Sequence, residues 1–130
     1  MKMSKKRYQY YTDFLTDFNG QRHIFIICAC SVELSKNSEL YKQLGISKKV
    51  SLGVAICNPV DAFDESIGQL LASSRAESGD IVMYANKKGY INTKVINALL
   101  MQEAKCIKKE IYKYLTENAK LFKIISNYIK

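Results

Sequence analysis

Tryptophan is absent from this 130-residue chain, proline and histidine occur once each, and arginine is confined to Arg7, Arg22 and Arg75. No apolar run approaches the roughly 18 residues that a membrane-spanning helix needs. The basic stretch Met1–Arg7 runs into aromatic and acidic residues instead of an apolar signal core, so the sequence predicts a soluble, cytoplasmic protein. Of the glycines, Gly53 is isolated in an apolar stretch and Gly79 and Gly89 stand in turns, so no phosphate-cradling glycine loop is present. The single histidine leaves little for nucleophilic catalysis. A pair of His23 with Cys28 or Cys30 would join residues too far apart along one strand to touch. The four cysteines, Cys28, Cys30, Cys57 and Cys106, lack the spacing of a zinc site and read as free thiols. No metal and no cofactor is expected.

What is present is an ordinary globular balance, 48% apolar and 25% charged, with a formal net charge of +8. The length supports one cooperative core and one domain, 1–130. Charge is uneven along it. Residues 1–7 hold Lys2, Lys5, Lys6 and Arg7 and no acid, and residues 91–130 hold eight lysines against three glutamates. Residues 51–80 set Arg75 against Asp61, Asp64, Glu65, Glu77 and Asp80. A basic frame favours phosphate-bearing partners, although lysine-rich faces also serve solubility.

Two β-prone stretches, Tyr8–Phe18 and His23–Val32, flank Asn19-Gly20, a pair suited to positive φ in a tight hairpin turn. Cys28 and Cys30 share one strand face and read as small hydrophobes. A short helical turn is predicted at Ser38–Leu44, and Val50–Cys57, nearly all apolar, as a central strand. A helix follows over about 61–78, capped by Asp61 and ended by a left-handed Gly79, with Phe63, Ile67, Leu70, Leu71 and Ser74 on its buried face. Asp80–Ala85 is a fourth strand, and Lys87-Lys88-Gly89 a turn into a short extended Tyr90-Ile91. From Thr93 to about Leu115 runs an amphipathic helix with Ile96, Leu100, Ala104, Ile107, Ile111 and Leu115 in one stripe and Lys105, Lys109 and Lys113 opposite. Thr116 reads as the cap of a last helix to the terminus. The predicted class is α+β: an N-terminal antiparallel β-sheet (β-rich over 5–91) with one intervening helix, followed by two C-terminal α-helices over 93–130, the sheet being covered on one side.

Arg75 stands out in a lysine-rich chain. Its planar fork suits phosphate or carboxylate, or it bridges internally to Glu65 or Glu77. Asn92 is either a plain helix cap or a reader of a ligand base edge, beside helix-start amides able to receive an anion. Tyr90 and Phe63 are the aromatic faces for a purine, Phe63 fitting a core position equally well. Asp61, Asp64 and Glu65 could form a general acid-base pair or hold a divalent ion, but the helix start accounts for Asp61 and Asp64 without chemistry. The lysine stripe with Tyr112 and Tyr114 could track a nucleic-acid backbone, yet no helix-turn-helix, RNA-recognition or zinc-finger signature accompanies it.

The segment from Leu52 to Ala76 carries a strand, an Asn58-Pro59 turn, Asp61-Ala62-Phe63-Asp64, Gly68 and Ala72-Ser73-Ser74-Arg75-Ala76. In this it resembles the first type of phage Thoeris anti-defence proteins, sponges that sequester cyclic ADP-ribose isomers made by bacterial TIR-domain defence enzymes. The resemblance covers about a fifth of the chain. It implies a β-rich region before C-terminal helices, a homo-oligomer (dimer or higher) assembled through those helices, action in the host bacterial cytoplasm, and binding of the nucleotide without cleavage. The ligand-binding residues expected on that reading are Arg75, Asn92, Tyr90 and Asp61, with Arg22, Phe63 and Lys94 behind them. A basic nucleic-acid binder and an inhibitor of a host protein are the alternatives.

Overall fold

The computed structural model describes residues 6–59, 61–86 and 92–129, and the side chains of all of these but Asn86 and 118–129. Four strands, β1 (Lys6–Thr16), β2 (Arg22–Glu33), β3 (Ile46–Ile56) and β4 (Ile81–Asn86), pair antiparallel in the order β1-β2-β3-β4. Among the described residues three helices accompany them: α1 (Glu39–Leu44), α2 (Glu65–Glu77) and α3 (Thr93–Ile129). This is the expected α+β class. The first hairpin runs in continuous register from Lys6↔Val32 to Thr16↔Arg22.

Its turn is organised by Asp17 and not by a tight Asn19-Gly20 pair. Only Gly20 takes positive φ, at 79°, while the Asp17 carboxylate accepts from the N–H groups of Asn19 and Gln21 at 2.8 and 2.9 Å. His23 Nε2 lies 2.9 Å from the other carboxylate oxygen. That contact, ahead of the two backbone donors, holds the Asp17 carboxyl below its ordinary value. α1 forms as expected, with Ser38 Oγ accepting from Tyr41 N–H and Gly45 closing the turn at φ 67°.

Both faces of the sheet are covered, which corrects the one-sided expectation. Residues 25–30 of β2 are all buried, the run of a strand sandwiched between layers. On one face Phe25, Ile27, Ala29 and Val50 meet Ile96, Leu100, Ala104, Ile107 and Ile111 of α3, with Leu115 packed alongside. The predicted α3 stripe is therefore the stripe that is buried. On the other face Ile26, Cys28, Cys30 and Ala55 meet Ala72 and Ala76 of α2. Burial pushes the Cys28 thiol up to about 12 and raises Cys30 too, so both thiols stay neutral and pack as small apolar groups.

α2 corrects the sequence in three ways. Asp64, not Asp61, is its cap, accepting from Ile67 N–H at 3.1 Å. Gly79 has no positive φ; a Cβ there would stand 2.4 Å from the carbonyl oxygen of Leu52. Third, the residues buried against the sheet are Ala72 and Ala76, with Gly68 half-buried on the same side, while Ile67, Leu70 and Leu71 are exposed. The reason is distance. A Cβ on Gly53 of β3 would lie 2.2 Å from Ala76 N and 2.3 Å from Ala72 O, so helix and strand backbones are in contact and only the smallest side chains fit between them. Ser51 seals the junction, its hydroxyl donating to the Ala76 carbonyl at 2.5 Å.

α3 is one 37-residue helix, not two. Thr116 is no cap: its hydroxyl donates back to the Tyr112 carbonyl at 2.8 Å inside the continuing helix. Lys108 anchors α3 to β1 through Asp13 at 2.7 Å, and Tyr112 meets Phe18 edge-on with ring centroids 6.1 Å apart.

Candidate anion-binding site

Strand alternation carries the α3-facing side of the sheet out of its apolar core and into a polar end. Beyond Ala29 and Val50 on that face come Arg7 and Gln9 of β1, Ser31 of β2 and Lys48 of β3, with Arg7 opposite Ser31 in register. The start of α3 roofs this end. Gln9 Nε2 donates to the Thr93 carbonyl at 3.3 Å, and Asn92 caps the helix, its Oδ1 accepting from Val95 N–H at 3.0 Å. Between sheet and helix start lies an open basin of about 600 Å³ lined by Arg7, Gln9, Ser31, Lys48, Asn92 and Thr93, among others.

The described lining of the basin carries cations and no acid, with Glu33 opposite Lys48 in register at its rim. Two cations face a helix N-terminus, itself equivalent to a partial positive charge. The first turn of α3 contains no acidic residue, whereas α2 opens with its Asp64 cap and Glu65. The donors are a guanidinium, an ammonium, an amide and a hydroxyl, a set matched to phosphate oxygens. A second cavity, about 450 Å³ beside α3, is floored by Val54, Ile56, Ile107 and Ile111 and edged by Glu103 and Glu110; its carboxylates disfavour an anion.

The residues predicted to bind ligand fall in separate places. Asn92 is in the basin wall, and Lys94 is exposed on the adjoining turn. Arg75 bridges neither Glu65 nor Glu77. Its Nη1 donates to the Val54 carbonyl at 2.7 Å, on the stretch of β3 that lies past the last residue paired with β4. Asp61 and Phe63 line a pocket of about 250 Å³ under the N-terminal end of α2, with Ile26, Ala55, Ile67 and Leu71 as apolar walls. That pocket is at the opposite end and on the opposite face of the sheet from the basin, so one nucleotide cannot reach both within one chain. Arg22 is spent on Phe14, its guanidinium 4.7 Å from the ring centroid. Tyr90 lies outside the described residues.

Arg7, Gln9 and Lys48 are the basin residues that the sequence did not single out. Starting β3 at Val50 left Lys48 outside the strand, and the face on which Arg7 falls depends on hairpin register. Among the described residues no group of three or more His, Cys, Asp or Glu could hold a metal ion, and no helix is long and apolar enough to cross a membrane. Searches of protein-family models, curated proteins and solved structures find no match to this chain.

Proposed function

We propose that this protein binds and sequesters a cyclic ADP-ribose-type signalling nucleotide without cleaving it, and so blocks a TIR-based defence. The observation that carries the reading is the basin of Arg7, Lys48 and the uncompensated start of α3, which suits a pyrophosphate and has a volume within the usual range for small-ligand sites. Its described lining offers cations and neutral donors and no carboxylate, imidazole or thiol, which favours retention over turnover. The resemblance of Leu52–Ala76 to anti-defence sponges supplies the ligand class. In this reading Arg7 and Lys48 hold the phosphates, Asn92 and Gln9 meet the sugar or base edges, and Arg75 supports α2 instead of touching ligand.

The test is to melt the purified protein with and without each cyclic ADP-ribose isomer, then to denature the mixture and chromatograph the nucleotide. A raised Tm with intact nucleotide recovered is expected. Degraded nucleotide would make the protein an enzyme, and no shift with any isomer would remove the reading. The exposed row Lys105, Lys109 and Lys113 favours nucleic acid as a second reading. That one predicts affinity for DNA or RNA falling steeply with salt.

A further inference from the structure

The outward side of α2 is the least expected surface of the molecule. Because the backbone of β3 at Gly53 admits only Ala72 and Ala76 beneath the helix, and the Ile26 side chain of β2 only Gly68, its large apolar residues are turned out: Ile67, Leu70 and Leu71 are 56%, 69% and 44% exposed, beside Phe63 at 37%. A contiguous apolar patch of this kind marks an interface. Its border at the helix start is acidic, with Asp61, Asp64 and Glu65 all exposed. The same chain displays a surface of the opposite kind. On the outer side of α3, Met101, Lys105, Lys109 and Tyr112 follow one another at helical spacing, turned away from buried Leu100, Ala104 and Ile107, and Lys113 adjoins them. Met101 and Tyr112 are 46% and 55% exposed there, giving apolar contact among lysines.

We infer that the outer face of α2 docks onto the outer face of α3 of a second copy of this chain, Ile67, Leu70 and Leu71 resting on Met101, Tyr112 and the aliphatic stems of the lysines, with the acids at the start of α2 set against the lysine heads. The two surfaces cover opposite faces of one sheet. The contact is therefore heterologous, front to back, and propagates as a ring or an open stack instead of closing as a two-fold dimer. It does not depend on the nucleotide reading, since neither surface includes the basin.

Two variants and their mixture test this by light scattering coupled to size exclusion. The wild-type chain at low salt is expected to show a mass above the monomer that grows with concentration and falls as salt screens the charged rim. Leu70→Glu breaks the α2 side and the double change Lys105→Glu, Lys109→Glu breaks the α3 side; all three positions are exposed, and an unchanged Tm confirms folding. Each variant alone is expected to be monomeric. Mixed, they are expected to form a 1:1 dimer that grows no further, because each retains the one surface that the other lost. A wild-type monomer at high micromolar concentration in low salt would overturn the inference and leave the α2 face to a different protein. Variants that assemble like the wild type, or a mixture that stays monomeric, would overturn it as well.

Discussion

α2 and α3 lie on the two faces of the same sheet and meet it in opposite ways. α3 stands off far enough to sink Leu100, Ile107 and Ile111 between helix and strands. α2 sits on the backbone of β3 at Gly53 and buries alanines, leaving its leucines to solvent. Both helices carry large apolar residues at helical spacing, although α2 is much less amphipathic than α3, so spacing alone does not decide which side goes in. The facing strand decides it. Where the strand offers side chains the large face packs, and where it offers a bare glycine the small face does.

Four substitutions sharpen this contrast, and denaturant unfolding measures each. Leu100→Ala removes a fully buried α3 side chain and is expected to cost about 4 kcal/mol. Gly53→Ala forces a Cβ into the backbone of α2 at 2.2 Å from Ala76 N; a loss of about 3 kcal/mol is expected, with α2 amides exchanging faster than those of α3. Arg75→Ala takes away the donor to the Val54 carbonyl and is expected to cost about 1 kcal/mol. Leu70→Ala, measured at a dilution and salt where the chain is monomeric, is expected to stay within about 0.5 kcal/mol, although it is a leucine on an apolar stripe, because that stripe faces out of the chain. A loss at Leu70 as large as that at Leu100 would mean that α2 packs its large face after all. Thiol labelling adds a comparison without mutation. Exposed Cys106 is expected to react with a thiol reagent at mildly alkaline pH, while Cys28 and Cys30, buried under α2, stay unlabelled until the protein unfolds.

The same physics explains what could be read in advance. The α3 stripe was legible because five large apolar residues and Ala104 recur at helical spacing and the helix is long enough to average out exceptions. The hairpin was legible from two β-prone runs around Asn19-Gly20, although its turn chemistry resides in Asp17, whose partners are made only when the strands close. In α2 the signal lay in the small residues. Gly68, Ala72 and Ala76 recur every four positions, and Gly53 interrupts an apolar strand, together a mark of close backbone approach. The candidate site was the least legible part. Asn92 was visible as a helix start, but Arg7 and Lys48 sit far apart in sequence, and only the joint register of β1, β2 and β3 brings them to one face.

Acid should loosen the hairpin end selectively. The carboxyl of Asp17 is held below its unfolded value by the His23 contact, so its contribution is present above the unfolded carboxylate range and is lost as pH falls through the lower, folded value. Protection of the Asn19 and Gln21 amides, taken relative to the intrinsic exchange rate at each pH, is expected to fall on acidification before that of the β2 core.

The central claim is that the basin holds the phosphates of the sequestered nucleotide. Calorimetric titration of the best-binding cyclic ADP-ribose isomer into the wild type, Arg7→Ala/Lys48→Ala and Arg75→Ala tests it directly. The account predicts an affinity loss of about a hundredfold or more for the basin double variant, as expected for charge-assisted contacts, and near-wild-type affinity for Arg75→Ala. Unchanged affinity in the double variant, with loss in Arg75→Ala, would contradict it and move the site to the α2 side of the sheet.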